Sequence, residues 1–269
     1  MLTSNLVTGE VANFARYFNE HLMPELIQDA DKLKYYMENE GTTWEGKLTS
    51  RLNLKNKVVG EADFVAIANN QHPETGERIT RRNAKDRRIA WDWTYSSVKS
   101  AGIALSIGGH SEIRALHERA VRIANKRMEQ DLLAQANTQY ARGYEDVSEG
   151  LWCSFTHHTA RAVLTELKDG RSAYISDPAL HTHSIHWSIV WSESRQCFLA
   201  LENHRIKNQA TFYQNVYHSV FSKSLKDAGY SIRLTPEGRY EINGVSRATI
   251  EKYSSRTKEI EQIIRDKKI

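Results

Sequence analysis

Proline is scarce in this chain, at 4 residues in 269. No stretch rich in proline, glycine or serine marks a linker, so one continuous domain over residues 1–269 is expected. Cysteine is scarcer still. Cys153 and Cys197 are too few for a disulfide framework and lack C-x-x-C spacing, which excludes a stapled secreted scaffold and fits a reducing compartment. No apolar run approaches the roughly 20 residues that cross a bilayer. The opening MLTSNLVTGEVANF has neither the basic head nor the apolar core of a signal peptide. A cytoplasmic protein without a membrane span is the expectation. A large charge of one sign is also missing: 37 basic against 33 acidic residues leave a net +4, which permits a polyanionic partner without requiring one. What remains, 40% hydrophobic and 26% charged, is the composition of an ordinary globular protein able to bury a core.

Helical spacing appears four times. TGEVANFARYFNEHL sets Val11, Phe14, Ala15 and Phe18 on one stripe with Thr8 as N-cap, and leaves Tyr17 roughly 120° away from it. A second, SEIRALHERAVRIANKRMEQDLLAQA, runs from Ser111 to Ala136 with a charged outer face. A third, TFYQNVYHSVFSKSLKDAG, buries Tyr213, Val216, Tyr217 and Val220 and stops at Gly229. A last helix carries Ile250, Tyr253, Ile260 and Ile264 inward. Between them RIAWDWTYSS, GLWCSFTHHTA, ALHTHSIHWSIVW and SIRLTPEGRYEI read as strands, the last as a hairpin around Pro236 to Gly238. Helices grouped around hairpin-connected strands predict an α+β fold, a central antiparallel sheet with flanking helices.

The segment DPALHTH raises the chemical question. In a strand, side chains alternate, so His181 and His183 share a face and converge on one point, which suits a divalent metal. The plain alternative is a pair of partly exposed histidines at a strand end. The same face continues through Ile185, Trp187 and Ile189, so the imidazoles stand at the rim of a covered surface. In GLWCSFTHHTA, His157 shares a face with Cys153 and Phe155 while His158 falls opposite, making His157 the candidate third ligand, with a core histidine as the alternative. Asp92, set among aromatics in WDWTYSS, needs a partner if buried, and orienting an imidazole is one such role.

The ordered set of N-terminal tyrosines, W-x-G-K (Trp44 to Lys47), DWTYSSVKS, FTHHTAR and DPALHTH resembles the MobF-class conjugative relaxases, and the likeness extends over nearly the whole chain. That resemblance implies a palm-like, two-layer α/β sandwich and a strand-specific DNA nickase acting through a 5′-phosphotyrosine intermediate. It implies Tyr17 as nucleophile, with Tyr35 and Tyr36 as further tyrosines. His157, His181 and His183 would hold a divalent ion, Mg²⁺ or Mn²⁺ ahead of Zn²⁺, with Asp92 orienting them and Arg161 contacting phosphate. It also implies single-stranded DNA, an origin hairpin and other transfer proteins as partners of a monomeric relaxase. The chain departs from the family pattern at Phe18, where a second tyrosine is usual, at Val98 in place of a proline, and in a longer ELKDGRSAYIS segment that lengthens a hairpin.

A basic run before Asp92 gathers Arg78, Arg81, Arg82, Lys85, Arg87 and Arg88, expected to track a DNA backbone or else to be a solvated loop. Trp91, Trp93 and Tyr95 follow it, with core packing expected ahead of base stacking. Two other readings are a module that binds an origin hairpin without cutting and a rolling-circle replication initiator.

Overall fold

The nine residues RIAWDWTYS form β3 (Arg88–Ser96), an aromatic-rich strand buried on both faces. The structure is a computed structural model that describes residues 2–8, 42–81, 84, 86–138, 141–160, 163–166, 172–236 and 238–267. The expected first helix therefore lies outside the described residues. Thr8, expected to cap it, instead ends β1 (Leu2–Thr8), which pairs antiparallel with β3, setting Asn5 opposite Asp92. β2 (Trp44–Glu45) pairs antiparallel with β6 (Gly150–Thr159). β9 (Pro178–Ser192) is the hub of the eight-stranded sheet, bonding to β3, β6 and β10 (Cys197–Glu202). The sheet continues from β10 through β4 (Leu132–Gln135) to β5 (Tyr144–Val147), both pairings antiparallel.

The chain divides into two compact units. The first comprises Met1–Tyr95, Val121–Phe155 and Thr182–Tyr217. Its main apolar core lies where Ile185, Trp187 and Ile189 of β9 and Leu151, Cys153 and Phe155 of β6 meet Trp44, Leu48, Leu52 and α1 (Glu61–Ala68). Phe64 of α1 packs edge-on to Trp187 at 4.9 Å. Here α3 (Glu112–Glu129) also contributes Asn125, and α5 (Ala210–Asp227) sets Tyr217 against Tyr95 at 5.5 Å. A 3₁₀ turn at Lys47–Thr49 follows Gly46, whose φ of 95° and close approach to the Gly150 carbonyl leave no room for a side chain.

The second unit comprises Ser96–Ala120, Thr156–His181 and His218–Ile269. It holds α2 (Lys99–Ser106), the hairpin of β7 (Val163–Glu166) with β8 (Ser172–Ile175), and the short hairpin of β11 (Ile232–Leu234) with β12 (Tyr240–Ile242). The expected last helix is two, α6 (Arg247–Lys252) and α7 (Ser255–Lys267), and Ile260 and Ile264 are each 45% exposed rather than inward. The break comes after Tyr253, where the helical phase is lost and the isoleucine stripe loses its alignment. In α5 the buried stripe is Tyr213, Tyr217, Phe221 and Leu225, whereas Val216 and Val220 are only half-buried; the larger rings take the inner line. Just before α5 in sequence, α4 (His204–Asn208) is a single turn that buries Ile206. Among the described residues no helix is long and apolar enough to cross a membrane.

Candidate active site

Strand alternation places Asp92 and Thr94 on one face of β3. In the first unit that face meets His183. The imidazole Nδ1–H donates to Asp92 Oδ2 at 2.6 Å, and the Thr94 hydroxyl lies 3.5 Å from the other carboxylate oxygen and 3.3 Å from the same nitrogen. Asp92 is fully buried and His183 nearly so. The structure thus brings Asp92 and His183, both singled out in the sequence, into direct contact. A carboxylate accepting a short bond from an imidazole fixes both the tautomer and the ring plane, and makes Nε2 the basic nitrogen.

In the second unit His157 and His181 lie with ring centroids 5.3 Å apart and planes tilted by 30°. His181 Nδ1–H donates to the Ala179 carbonyl at 2.9 Å, which again makes Nε2 the basic nitrogen. The strand start that carries His181 is held firmly. Asp177, buried, accepts from the Ser255 N–H at 2.6 Å and hydroxyl at 3.3 Å, while its carbonyl accepts from the Ala160 N–H at 2.8 Å. Sequence reasoning missed His117 of α3. Burial, reinforced by the nearby imidazoles of His181, His158 and His218, pushes its pKa down to about 3, so it is neutral at physiological pH. A single histidine on an amphipathic helix, far in sequence from the strand histidines, offered no signal.

Among the described residues no three His, Cys, Asp or Glu side chains form a ready-made metal cage. Taken unit by unit, the chemistry of these imidazoles nevertheless suits a divalent ion. Both His181 and His183 commit Nδ1 to an oxygen acceptor, the second-layer arrangement that metal-ligating histidines use, and His157 lies beside His181.

Tyr17, Tyr35, Tyr36, Arg82, Lys85 and Arg161 lie outside the described residues. Of the remaining basic run, Arg78 and Arg81 are exposed. Arg87 donates to the Ala68 carbonyl and has its pKa lowered by burial, and Arg88 reaches Glu202 at 3.3 Å. Both of these guanidiniums are therefore engaged within the protein. Trp91, Trp93 and Tyr95 are buried, so they pack the core and do not stack on bases.

A model of the TrwC relaxase family matches residues 11–268. The chain is 23% identical to the multifunctional conjugation protein TraI of Escherichia coli over 248 residues, which are 87% of this chain but 13% of that protein, so it spans about an eighth of its curated relative. Solved structures give the same fold. The metal-bound complex of the conjugative relaxase TrwC with oriT DNA superposes with a TM-score of 0.77 at 23% identity, covering 99% of this chain and 84% of that one. TrwC with a 27-mer DNA comprising the recognition hairpin and the cleavage site gives 0.77 at 22% identity, covering 100% and 84%.

Proposed function

This chain belongs to the TrwC relaxase family, and from that membership we propose that it nicks one DNA strand at a plasmid transfer origin through a tyrosine nucleophile. The reading is carried by the His183–Asp92 pair, a buried imidazole oriented by a buried carboxylate at 2.6 Å. His157, His181 and His183 would hold the ion, Mg²⁺ or Mn²⁺. Such an ion, when bound, supplies positive charge toward a non-bridging phosphoryl oxygen. The protein's own part is to orient. Asp92 and the Ala179 carbonyl hold two imidazoles in one tautomer, and the buried strands beneath hold them in place.

Tyr17 is the proposed nucleophile. Its phenol oxygen bonds to phosphorus as the bond from phosphorus to the 3′ oxygen breaks. The phenolic proton is given up and the departing oxygen takes one, so the protein ends joined to a 5′-phosphate and the strand ends in a 3′-hydroxyl. One phosphodiester replaces another, so the step reverses to rejoin DNA without an energy source. Tyr35 and Tyr36 are candidates for a second transfer, and Arg161 for a phosphate contact. Arg78, Arg81, Arg82 and Lys85 would track the strand, with Arg87 and Arg88 supporting them. The partners are single-stranded DNA and the origin hairpin, the protein acts as a cytoplasmic monomer with other transfer proteins, and the two units work as one nicking domain.

Incubation with origin oligonucleotides and Mg²⁺ or Mn²⁺ tests this on a denaturing gel. A covalent adduct is expected; binding without an adduct would leave a DNA-binding module in its place.

A further inference from the structure

The motif DWTYSSVKS supplies Asp92, but its second half, Ser96 to Lys99, has no role in the chemistry above. β3 ends at Ser96 and α2 begins at Lys99. The turn between them closes against the start of β9: the Ser97 N–H donates to the Leu180 carbonyl at 3.0 Å, and the Lys99 ammonium to the Pro178 carbonyl at 2.9 Å. α2 is also pinned from its far side. The Ser100 N–H donates to the Glu241 carboxylate at 2.9 Å, and its hydroxyl accepts from the Ile242 N–H at 2.7 Å. At Gly102 the helix comes so close to β9 that an added Cβ would sit 3.0 Å from the Leu180 nitrogen.

This packing leaves a cavity of about 280 Å³ lined by Ser96, Ser97, Lys99 and His181 among others. Lys99 is half-buried in it. An ammonium has three donors, and one is spent here on a neutral carbonyl. Among the described residues no carboxylate is within ion-pair reach of Lys99. The nearest acidic influence, Asp177, is committed to Ser255, and burial pulls the lysine toward neutrality against it. A cation held partly out of water without a counter-charge is costly unless a ligand brings the charge. The Ser97 hydroxyl donates to the Val98 carbonyl at 3.1 Å, so it is the ammonium and the Ser96 hydroxyl beside it that offer donors to a small, singly charged group with two exposed oxygens.

We propose that this cavity is a phosphodiester subsite in which Lys99 and Ser96 contact the non-bridging oxygens of a phosphate next to the one being cut. It rests on the proposed function, since His181 lines the cavity and is also a proposed ligand at the cut. Lys99 is thus a positioning residue that fixes the register of the strand.

The test is binding of single-stranded origin oligonucleotides by fluorescence anisotropy in EDTA, which keeps the DNA intact, with a neutral methylphosphonate placed at each linkage in turn. The wild-type protein should lose affinity when one linkage within two nucleotides of the cut is neutralised. Lys99→Met should weaken binding about tenfold at low salt, as for a charge-assisted hydrogen bond. It should lower the slope of log K against log salt by about 0.7 and become indifferent to that methylphosphonate. Lys99→Arg should keep both the slope and the sensitivity, which a structural role alone would not predict. If Lys99→Met does not fold, Ser96→Ala carries the same scan, with the same linkage losing its effect. Unchanged slope and methylphosphonate profile in the folded variant overturn the subsite alone, whereas a wild-type protein that binds no oligonucleotide overturns the proposed function with it.

Discussion

Replacing Asp92 by asparagine separates orientation from stability. The amide keeps the carboxylate's shape and can still accept the His183 Nδ1–H with its carbonyl oxygen, so the buried donor is not orphaned. What disappears is the charge that makes the 2.6 Å bond short and holds the ring in one orientation. Loss of such an outer partner lowers metal affinity about 10- to 100-fold, or about 1.4 to 2.7 kcal/mol. Stability of the metal-free protein should change by less than about 1 kcal/mol, because removing a buried charge offsets the weakened bond. Titration calorimetry with Mn²⁺ and urea denaturation in EDTA measure the two quantities. Unchanged metal affinity together with a stability loss of several kcal/mol would refute the argument and make Asp92 a structural residue.

The nucleophile is tested by Tyr17→Phe, which should bind DNA normally and form no adduct, while Tyr35→Phe keeps the first cut; mass spectrometry finding the nucleotide on Tyr35 or Tyr36 of the wild-type protein would reverse the assignment. Charge reversal at Arg81 and Arg82 should lower the salt slope by about 0.7 for each phosphate that is no longer neutralised. Arg88→Ala should leave that slope alone, because its guanidinium is already engaged with Glu202. Glu129 accepts the Lys47 N–H at 2.8 Å and the Gly150 N–H at 3.1 Å, yet burial raises its pKa. A raised carboxyl holds its proton longer folded than unfolded, so stability falls as pH rises from its unfolded value through its folded one. Glu129→Gln keeps an acceptor and should flatten that fall in denaturation curves taken from acid to neutral pH.

What the sequence revealed follows what strand and helix periods can encode. The four strand runs fall where β3, β6, β9 and the β11–β12 hairpin stand, and α5 matches within two residues, because long periodic segments carry their own signal; α3, expected to run on to Ala136, stops at Glu129, and Leu132–Gln135 is drawn into β4 by its neighbours in the sheet. The short strands β2, β4 and β5 carry no such signal, since each holds four residues or fewer and exists only because a neighbour supplies the ladder. β1 has a polar, poorly alternating sequence and is a strand because β3 lies beside it. The same limit applies to charge. A run of arginines reads alike whether its members face solvent, as Arg78 and Arg81 do, or a carbonyl and a carboxylate, as Arg87 and Arg88 do.

The least legible feature lies behind the imidazoles. Alternation puts Ser184, His186 and Ser188 on the face of β9 opposite His183, and all three are buried. Asn125 of α3 meets two of them. Its amide nitrogen donates to the Ser184 hydroxyl at 2.7 Å, and its oxygen accepts from the Tyr95 hydroxyl at 3.0 Å and from His186 Nε2–H at 3.2 Å. The Ser154 hydroxyl donates to that of Ser184 at 3.2 Å, and the His186 ring stacks on Trp152 at 5.3 Å. Burial pushes the His186 pKa down to about 3, so the ring stays neutral and the network carries no charge that depends on physiological pH. A strand slipped by one residue would turn Ser184 toward Asp92 and His183 toward Asn125, because side chains alternate with a period of two. Asp92 would lose its imidazole donor, and Asn125 would meet an imidazole where it now donates to a hydroxyl. Buried polar groups on both faces of one strand therefore penalise the same error twice, and the direction of His183 is set from behind as firmly as from the side where Asp92 binds it.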